Sequence, residues 1–489
     1  MRKNFITNIS FLLLLNLLVK PFWILGIDRS VQNTLGPEVY GVYFALFNFS
    51  YLFQVILDFG INNYNNRQVA QDPTSLARNL MSTLVLKIIL GVAYTVILFV
   101  AAVGVRFSGD QLAILGMLAL MQIALSFYAF LRSNINALHL FRTDAVLSIL
   151  DKLTTSILCA WILWGASGIT ISIALFIWIQ IGGFAVAIIT ALIILSRQKV
   201  QISRRVDLQL IRTIFKSSMP YALLGFLMTA YYRTDGVMLE RMLGDEGPYQ
   251  AGIYASAFRL LDAMSILGFL MAGMLMPMFS RMLAQKESIR PLLDLGFMVM
   301  LICSGAAGIA CLVHREAIMD LLYHATDAST GAIFGWLMVS FICISLTYVY
   351  GSLITAHGSI RKLNYISLAG FVLNILLNFI LIPQKQALGS AMATVFSQLL
   401  ILIAHIVISD KLFNTESSLI KWVRALLFLG ATVGLNLLLS QTTMRWELQL
   451  LLGIAGGALL SIPSGVVRPA DLQGIRTVLM SSLARRQGP

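Results

Sequence analysis

The sequence predicts an all-α polytopic membrane protein of 14 transmembrane helices. Of 489 residues, 58% are hydrophobic and 12% charged, and the imbalance runs the whole length rather than sitting in one tail or anchor. Apolar runs of about 18 or more residues alternate with short polar connectors, and only helices and closed barrels satisfy their backbone in lipid. These runs are too long and too uniformly apolar for barrel strands.

In chain order the spans fall at about 5–27, 39–61, 79–104, 112–134, 145–165, 168–196, 213–239, 251–279, 292–313, 331–356, 363–382, 387–409, 419–440 and 446–464. Span 1 follows Met1-Arg2-Lys3 but is long, contains Lys20-Pro21 and lacks a small-residue cleavage site, so it reads as a retained helix rather than a secretory signal. Pro21 removes a backbone donor at mid-span and predicts a kink, static or hinging. Span 8 carries Met264, Met271, Met274, Met276 and Met278, side chains suited to repacking, to a lipid tail or simply to filling space. Pro383 is expected to end span 11. Gly389 and Ala393 form a small-xxx-small pair on span 12 that allows close helix approach. His405, also on span 12, is expected to hydrogen-bond between helices. Cys159, Cys303, Cys311 and Cys343 have no metal-ligand spacing and read as buried free thiols.

The net charge of +13 raises the question of nucleic acid, and topology answers it differently. With the N-terminus inside, 24 of the 35 Lys and Arg fall in inside segments or at the inner ends of spans (Arg132, Lys216, Lys421 and Arg424), 6 in outside loops and 5 deeper within spans. This is the positive-inside bias, strongest in SRQKVQISRRVDLQLIRTIFK between spans 6 and 7. The basic balance therefore orients the chain, with both termini cytoplasmic; contact with anionic membrane lipids is compatible with it, and no nucleic-acid partner is expected.

LGPEVYGVYFALF (35–47) is echoed by LGDEGPYQAGIYASAF (243–258): both read Leu-Gly-x-Glu, then Tyr, then Gly-[Val/Ile]-Tyr-x-[Ala/Ser]. A second echo follows each, RQVAQDPTSLARNL from Arg67 and RMLAQKESIRPLL from Arg281. Two landmarks at similar spacing argue for duplication of a six-helix unit. An even number of helices makes the copies parallel repeats. The predicted organisation is a first bundle over 1–196, a basic linker over 197–212, a second bundle over 213–409, and spans 13 and 14 with a basic tail over 410–489.

Four stretches carry a family resemblance: LGPEVYGVYFALFNFSYLFQVILDFGINNYNNRQVA, YYRTDGVMLERMLG, AGIYASAFRLLDAM and NYISLAGFVLNILLNFILIPQKQALGSAMATVFSQ. In their order and spacing, with 14 helices, the chain resembles the polysaccharide-biosynthesis flippases of the multidrug/oligosaccharidyl-lipid/polysaccharide (MOP) exporter superfamily, of the O-antigen and capsule type. The resemblance implies two bundles forming a V around a cavity lined by spans 1, 2, 7 and 8, opening alternately to each side. It implies undecaprenyl-pyrophosphate-linked oligosaccharide as cargo, passed from the cytoplasmic to the periplasmic leaflet of a bacterial inner membrane. Glycan polymerase machinery is an implied partner, and no cofactor is implied.

Five cations sit deep inside spans, away from their inner ends: Lys20, Lys87, Lys152, Arg233 and Arg259. Each costs about 2.5–3.5 kcal/mol at mid-helix and needs a partner or a wet cavity. Measured from the outer ends of spans 1, 7 and 8, Lys20, Arg233 and Arg259 share one depth, and a cationic level suits a pyrophosphate. Against that reading, Arg233 pairs with an acid on a neighbouring helix, and Arg259 pairs with Asp262 at i+3. Asp28 and Arg29 mark the outer end of span 1, either solvated or touching cargo. Asp58 lines the cytoplasmic mouth or an ordinary interface, while Lys87 and the Asp151-Lys152 pair read as structural. Asp235 is two residues from Arg233, about 200° around the helix, so the two face different neighbours; it is the candidate proton- or sodium-linked group.

An enzyme such as a glycan polymerase or ligase commonly displays a large catalytic outer loop, and no outside loop here exceeds about 20 residues. No metal, nucleotide or nucleophile motif is present. The competing transporter readings are a lipid II flippase, whose 14 helices and cationic cavity match, and a cation-coupled multidrug exporter, which normally stops at twelve helices.

Overall fold

The computed structural model describes residues 15–16, 18–62, 74–138, 140–165, 168–197, 207–326, 328–414 and 419–467. The start of span 1, most of the basic linker, residues 67–73 of the first echo segment and the basic tail lie outside them. The described residues are almost all helical and contain no strand. A π-helical stretch, Phe22–Asp28, leads into α1 (Arg29–Leu35), followed by α2 (Pro37–Leu52), α3 (Val55–Asp58), α4 (Thr74–Gly104), α5 (Gly109–Ala137), α6 (Phe141–Trp164) and α7 (Ile173–Arg197). Then come α8 (Leu208–Met242), α9 (Gly247–Ala284), α10 (Arg290–Val313), α11 (Arg315–Leu322), α12 (Ala328–Ala356), α13 (Ile360–Phe413), α14 (Leu419–Ser440) and α15 (Trp446–Leu460).

Ten of these helices are long and apolar enough to cross a membrane, and Trp446–Leu460 is a shorter apolar one. The 54-residue α13 is two helices joined at Gln386, whose φ of 52° and ψ of −133° break the ladder. With α8 and the helix that ends at Leu35, the fourteen predicted spans are accounted for. Pro383 does not end span 11: the helix continues through it to the break at Gln386. The i−4 hydrogen bond it lacks falls in the last turn, where little ladder remains to disrupt.

Local chemistry sets the boundaries. Gly36, at φ 80°, ends α1, and Pro37 opens α2 at a position whose amide would be unpaired anyway. Ser108 and Gln111 form a reciprocal capping box at the start of α5. Pro21 immediately precedes the π-helical winding over Phe22–Asp28.

The described chain groups into two compact units: one of residues 1–263, 323–325 and 367–390, the other of 264–322, 326–366 and 391–489. In the first, α2 packs on α5 and α8, and α7 packs on α5 and α6. Ile88, Val92, Val96, Trp161 and Trp164 point outward, as side chains facing lipid do. In the second, α10 packs on α12, α14 and α15 around Phe297, Tyr350, Leu353 and Phe428.

Two predicted details change in this second unit. His405 binds its own helix, Nδ1 lying 2.8 Å from the Ile401 carbonyl one turn back, rather than bridging helices. All four cysteines are free, with Cys159 and Cys343 buried, but Cys303 is exposed on the outer face of α10 instead of buried. Met274, Met276 and Met278 are likewise exposed.

Candidate functional site

In the first unit, the residues of the repeated motif meet. Gly41 and Gly252 occupy the same place in Gly-[Val/Ile]-Tyr, and each has a proline four residues earlier, Pro37 and Pro248. A Cβ on Gly41 would fall 1.8 Å from the Pro248 carbonyl oxygen, and one on Gly252 would fall 2.0 Å from that of Pro37. Each glycine therefore lies against the other repeat's proline carbonyl, a reciprocal crossing of α2 and α9 that no side chain could occupy. Gln32 strengthens it by donating to the Gly252 carbonyl at 2.9 Å.

Inward from this crossing lies a chain of charges. Arg259 Nε is 2.8 Å from Asp28 Oδ2, and the Tyr40 hydroxyl donates to the same carboxylate at 2.9 Å. The Arg259 guanidinium also sits 5.7 Å from the ring centres of Phe44 and Phe47. Arg233 Nη1 lies 3.5 Å from Asp262 Oδ2 and 3.4 Å from Asn48 Oδ1, with Tyr51 and Phe258 rings 5.1 and 5.5 Å away. These Arg233 contacts are long, so most of its five donors are not spent on them.

Of the pairings weighed against a cargo role, that of Arg259 with Asp262 at i+3 is not made, whereas Arg233 does meet an acid on a neighbouring helix: Arg259 takes Asp28 and leaves Asp262 to Arg233. Nor are Asp28 and Arg29 at the outer end of span 1. The helix runs on to Leu35, and Asp28 is only 3% exposed. The apolar run stops at Asp28, but the helix continues because its polar residues find partners. Arg29 Nε is buried with no hydrogen-bond partner. Arg29 and Arg259 both act on the Tyr323 hydroxyl, which donates to the Ser256 carbonyl at 3.2 Å; burial pushes this phenol well above its usual range.

The extension also moves Lys20 deeper than Arg233 and Arg259. Lys20 is half-buried, and the charges acting on it are those of Arg132, Asp151 and Lys152. Lys152 lies 3.8 Å from Asp151 and 4.6 Å from the centre of the Trp23 ring. Asp28 and Arg259 act on it in turn. Lys20 therefore belongs to a second group reaching toward the first, not to a single cationic level. Asp58 lies elsewhere, 3.0 Å from Lys87, whose ammonium also donates to the Leu57 carbonyl and Ser126 Oγ. That is a tie between α3, α4 and α5, as predicted for Lys87.

Asp235 faces a different neighbourhood from Arg233, as the 200° offset requires. It is 1% exposed and accepts hydrogen bonds from the Tyr254 hydroxyl and from Asn378 Nδ2, both at 2.7 Å. Asn378 Nδ2 also donates to Asn374 Oδ1 at 3.1 Å, while Asn378 Oδ1 is buried without a hydrogen-bond partner. Tyr254 is the counterpart of Tyr43 in the repeated motif. The sequence signal for the amides was two asparagines at i, i+4 on one face of an apolar span, and sequence reasoning passed over it. Among the described residues no group of three His, Cys, Asp or Glu is placed to hold a metal ion.

The family described as "Polysaccharide biosynthesis protein" matches residues 5–283, more than half the chain. The chain belongs to the polysaccharide biosynthesis protein family. The lipid II flippase MurJ in an inward-closed conformation superposes with a TM-score of 0.63 at 13% identity, over 92% of this chain and 98% of that one. A multidrug-resistance MATE transporter of the MOP superfamily, inward-facing, gives 0.65 at 13% identity, over 81% and 96%. A MOP superfamily transporter from Pyrococcus furiosus gives 0.56 at 13%, over 84% and 94%. Among curated proteins, none matches the chain by sequence. This family member therefore has the MOP transporter fold.

Proposed function

We propose that the protein is a flippase that moves undecaprenyl-pyrophosphate-linked oligosaccharide from the cytoplasmic to the periplasmic leaflet of a bacterial inner membrane. The observation that carries this reading is the charge balance of the buried cluster. Lys20, Arg29, Lys152, Arg233 and Arg259 face Asp28, Asp151 and Asp262, a surplus of cations where each unpaired charge is costly. Arg29 and Arg233 keep donors to spare, and guanidinium donors match phosphate oxygens in pairs. The half-buried rings of Phe47 and Tyr51 beside them offer flat apolar faces for the CH edges of sugars.

We infer further that Asp235 couples transport to a proton or a hard monovalent cation. The carboxylate, Asn378 Oδ1 and Asn374 Oδ1 gather oxygen ligands of the type such ions prefer, on a helix face away from Arg233.

Lipid II carries the same pyrophosphate, so the cationic cluster serves both cargoes; a cation-coupled drug exporter would not need it. Deleting the gene in its native host separates the three. Accumulation of an undecaprenyl-linked glycan on the cytoplasmic face supports the proposal, accumulation of lipid II replaces it with the second cargo, and dye retention without either replaces it with drug export. A stable, inserted Arg233→Ala, Arg259→Ala double variant that exports glycan at the wild-type rate would remove the cationic site.

A further inference from the structure

We propose that the second unit holds a binding site for the phosphate headgroup of an anionic phospholipid, at the N-terminal ends of α10 and α14 and apart from the cluster above. A cavity of about 220 Å³ opens there, lined by Pro291, Leu295, Phe297, Lys421, Arg424 and Gly465 among others. Lys421 and Arg424 are at i, i+3 in the first two turns of α14 and so share a face. Lys421 Nζ is 2.8 Å from Asp294 Oδ1 and 4.2 Å from the centre of the Phe297 ring. Arg424 lines the same cavity, and among the described residues no carboxylate or carbonyl pairs with it. With two cations to one acid, the cavity carries one uncompensated positive charge, matching the single negative charge of a phosphodiester.

Two further features make this a built site rather than a stray arginine. Gly465, at φ 72°, lies against Arg424, where a Cβ would sit 3.2 Å from Nε; its missing side chain leaves the guanidinium room in the cavity. The N-termini of α10, with Pro291 at its first turn, and of α14 converge here, adding the positive ends of two helix dipoles. The turn before α10, the start of α14 and the chain after α15 all fall on the side that the basic segments assign to the cytoplasm, where anionic lipids attract cations.

A lipid fits better than free phosphate because the apolar surface continues from the cavity. Leu295 on α10 and Val423, Leu426 and Leu427 on α14 are 45%, 46%, 69% and 59% exposed, giving acyl chains a wall beside the head. Arg424 forks onto the two non-bridging oxygens, and Lys421, held by Asp294, adds a point charge.

The test is thermal unfolding of the full chain in uncharged detergent, titrated with dioleoyl-phosphatidylglycerol, with phosphatidylcholine of the same chains, or with inorganic phosphate. The expected result is a saturable rise with phosphatidylglycerol alone, its half-saturation weakened at least about tenfold in Arg424→Gln and less in Arg424→Lys. An equal rise with inorganic phosphate would overturn the lipid assignment. An equal rise with phosphatidylcholine, or an unchanged half-saturation in Arg424→Gln, would overturn the site. Native mass spectrometry of the wild-type protein in mixed lipid gives the same decision without a variant: phosphatidylglycerol held no better than phosphatidylcholine rules the site out.

Discussion

Asp28 and Asp235 stand at close to corresponding places in the two repeats, each ahead of a Leu-Gly-x-Glu turn, and each accepts a tyrosine hydroxyl from the helix that follows. Asp28 also meets the Arg259 guanidinium at 2.8 Å, whereas the second donor to Asp235 is the carboxamide of Asn378. One duplicated frame thus supports two uses of a buried acid. At the first, the carboxylate fixes the orientation of Arg259, the cation that the proposed function offers to cargo. At the second, the acid sits among polar oxygens and neutral donors, an environment able to take up and release a small cation or a proton. The frame common to both is the crossing of Gly41 and Gly252, so the comparison is sharpest when frame and acids are perturbed separately.

The frame should show the largest effect. Gly41→Val and Gly252→Val both drive a side chain into a proline carbonyl, and neither collision is relieved by a rotamer change, since the obstacle is backbone. Each should cost more than about 4 kcal/mol or abolish accumulation in the membrane. The two variants should be alike, because the contact is reciprocal; unfolding in detergent checks this, and tolerance of either one would show that the crossing is not a tight joint.

The acids come next and should differ. Asp28→Ala strands Arg259, whose side chain is 14% exposed, and should cost about 3–5 kcal/mol. Asp235→Ala leaves a phenol and an amide unsatisfied, a loss of about 1–3 kcal/mol. Equal losses by chemical unfolding would erase the proposed difference between the sites. Smaller still is the residual cost of neutralising the pair together. Asp28→Asn with Arg259→Gln should recover most of the stability lost in either single variant, with a coupling energy of about 1–3 kcal/mol, yet should not recover glycan export. Export by this double variant would mean that Arg259 serves only to hold the helices.

Fourteen helices were legible because lipid demands long apolar runs, a demand that acts on each segment separately and therefore shows in one dimension. The same criterion misplaced the outer end of span 1, because it stops at Asp28 while the helix continues wherever a charge finds a partner. The repeated Gly-[Val/Ile]-Tyr was readable, and so were the positions of Arg233, Arg259 and Asp235, but not their company. Which acid takes which cation depends on which helices face each other, and the nearest candidate in sequence, Asp262 for Arg259, lost to Asp28 from a distant helix. Lys20 shows the cost of measuring depth from an apolar boundary: it shares its surroundings with Asp151 and Lys152 rather than with Arg233.

The smallest change in stability should carry the most information about coupling. In Asp235→Asn the new carboxamide oxygen still accepts from Asn378 Nδ2, and its NH2 then faces the Tyr254 hydroxyl, whose oxygen accepts in turn. The fold should change by less than about 1 kcal/mol, since donors and acceptors remain matched. The negative charge is gone, however, and with it the means to exchange a proton or hold a cation. Transport in reconstituted vesicles should then lose its dependence on an imposed pH or sodium gradient. The same substitution at the first acid, Asp28→Asn, should weaken cargo handling through Arg259 while leaving whatever gradient dependence remains in place. If the two variants respond to gradients alike, the repeats do not divide their labour between cargo and coupling.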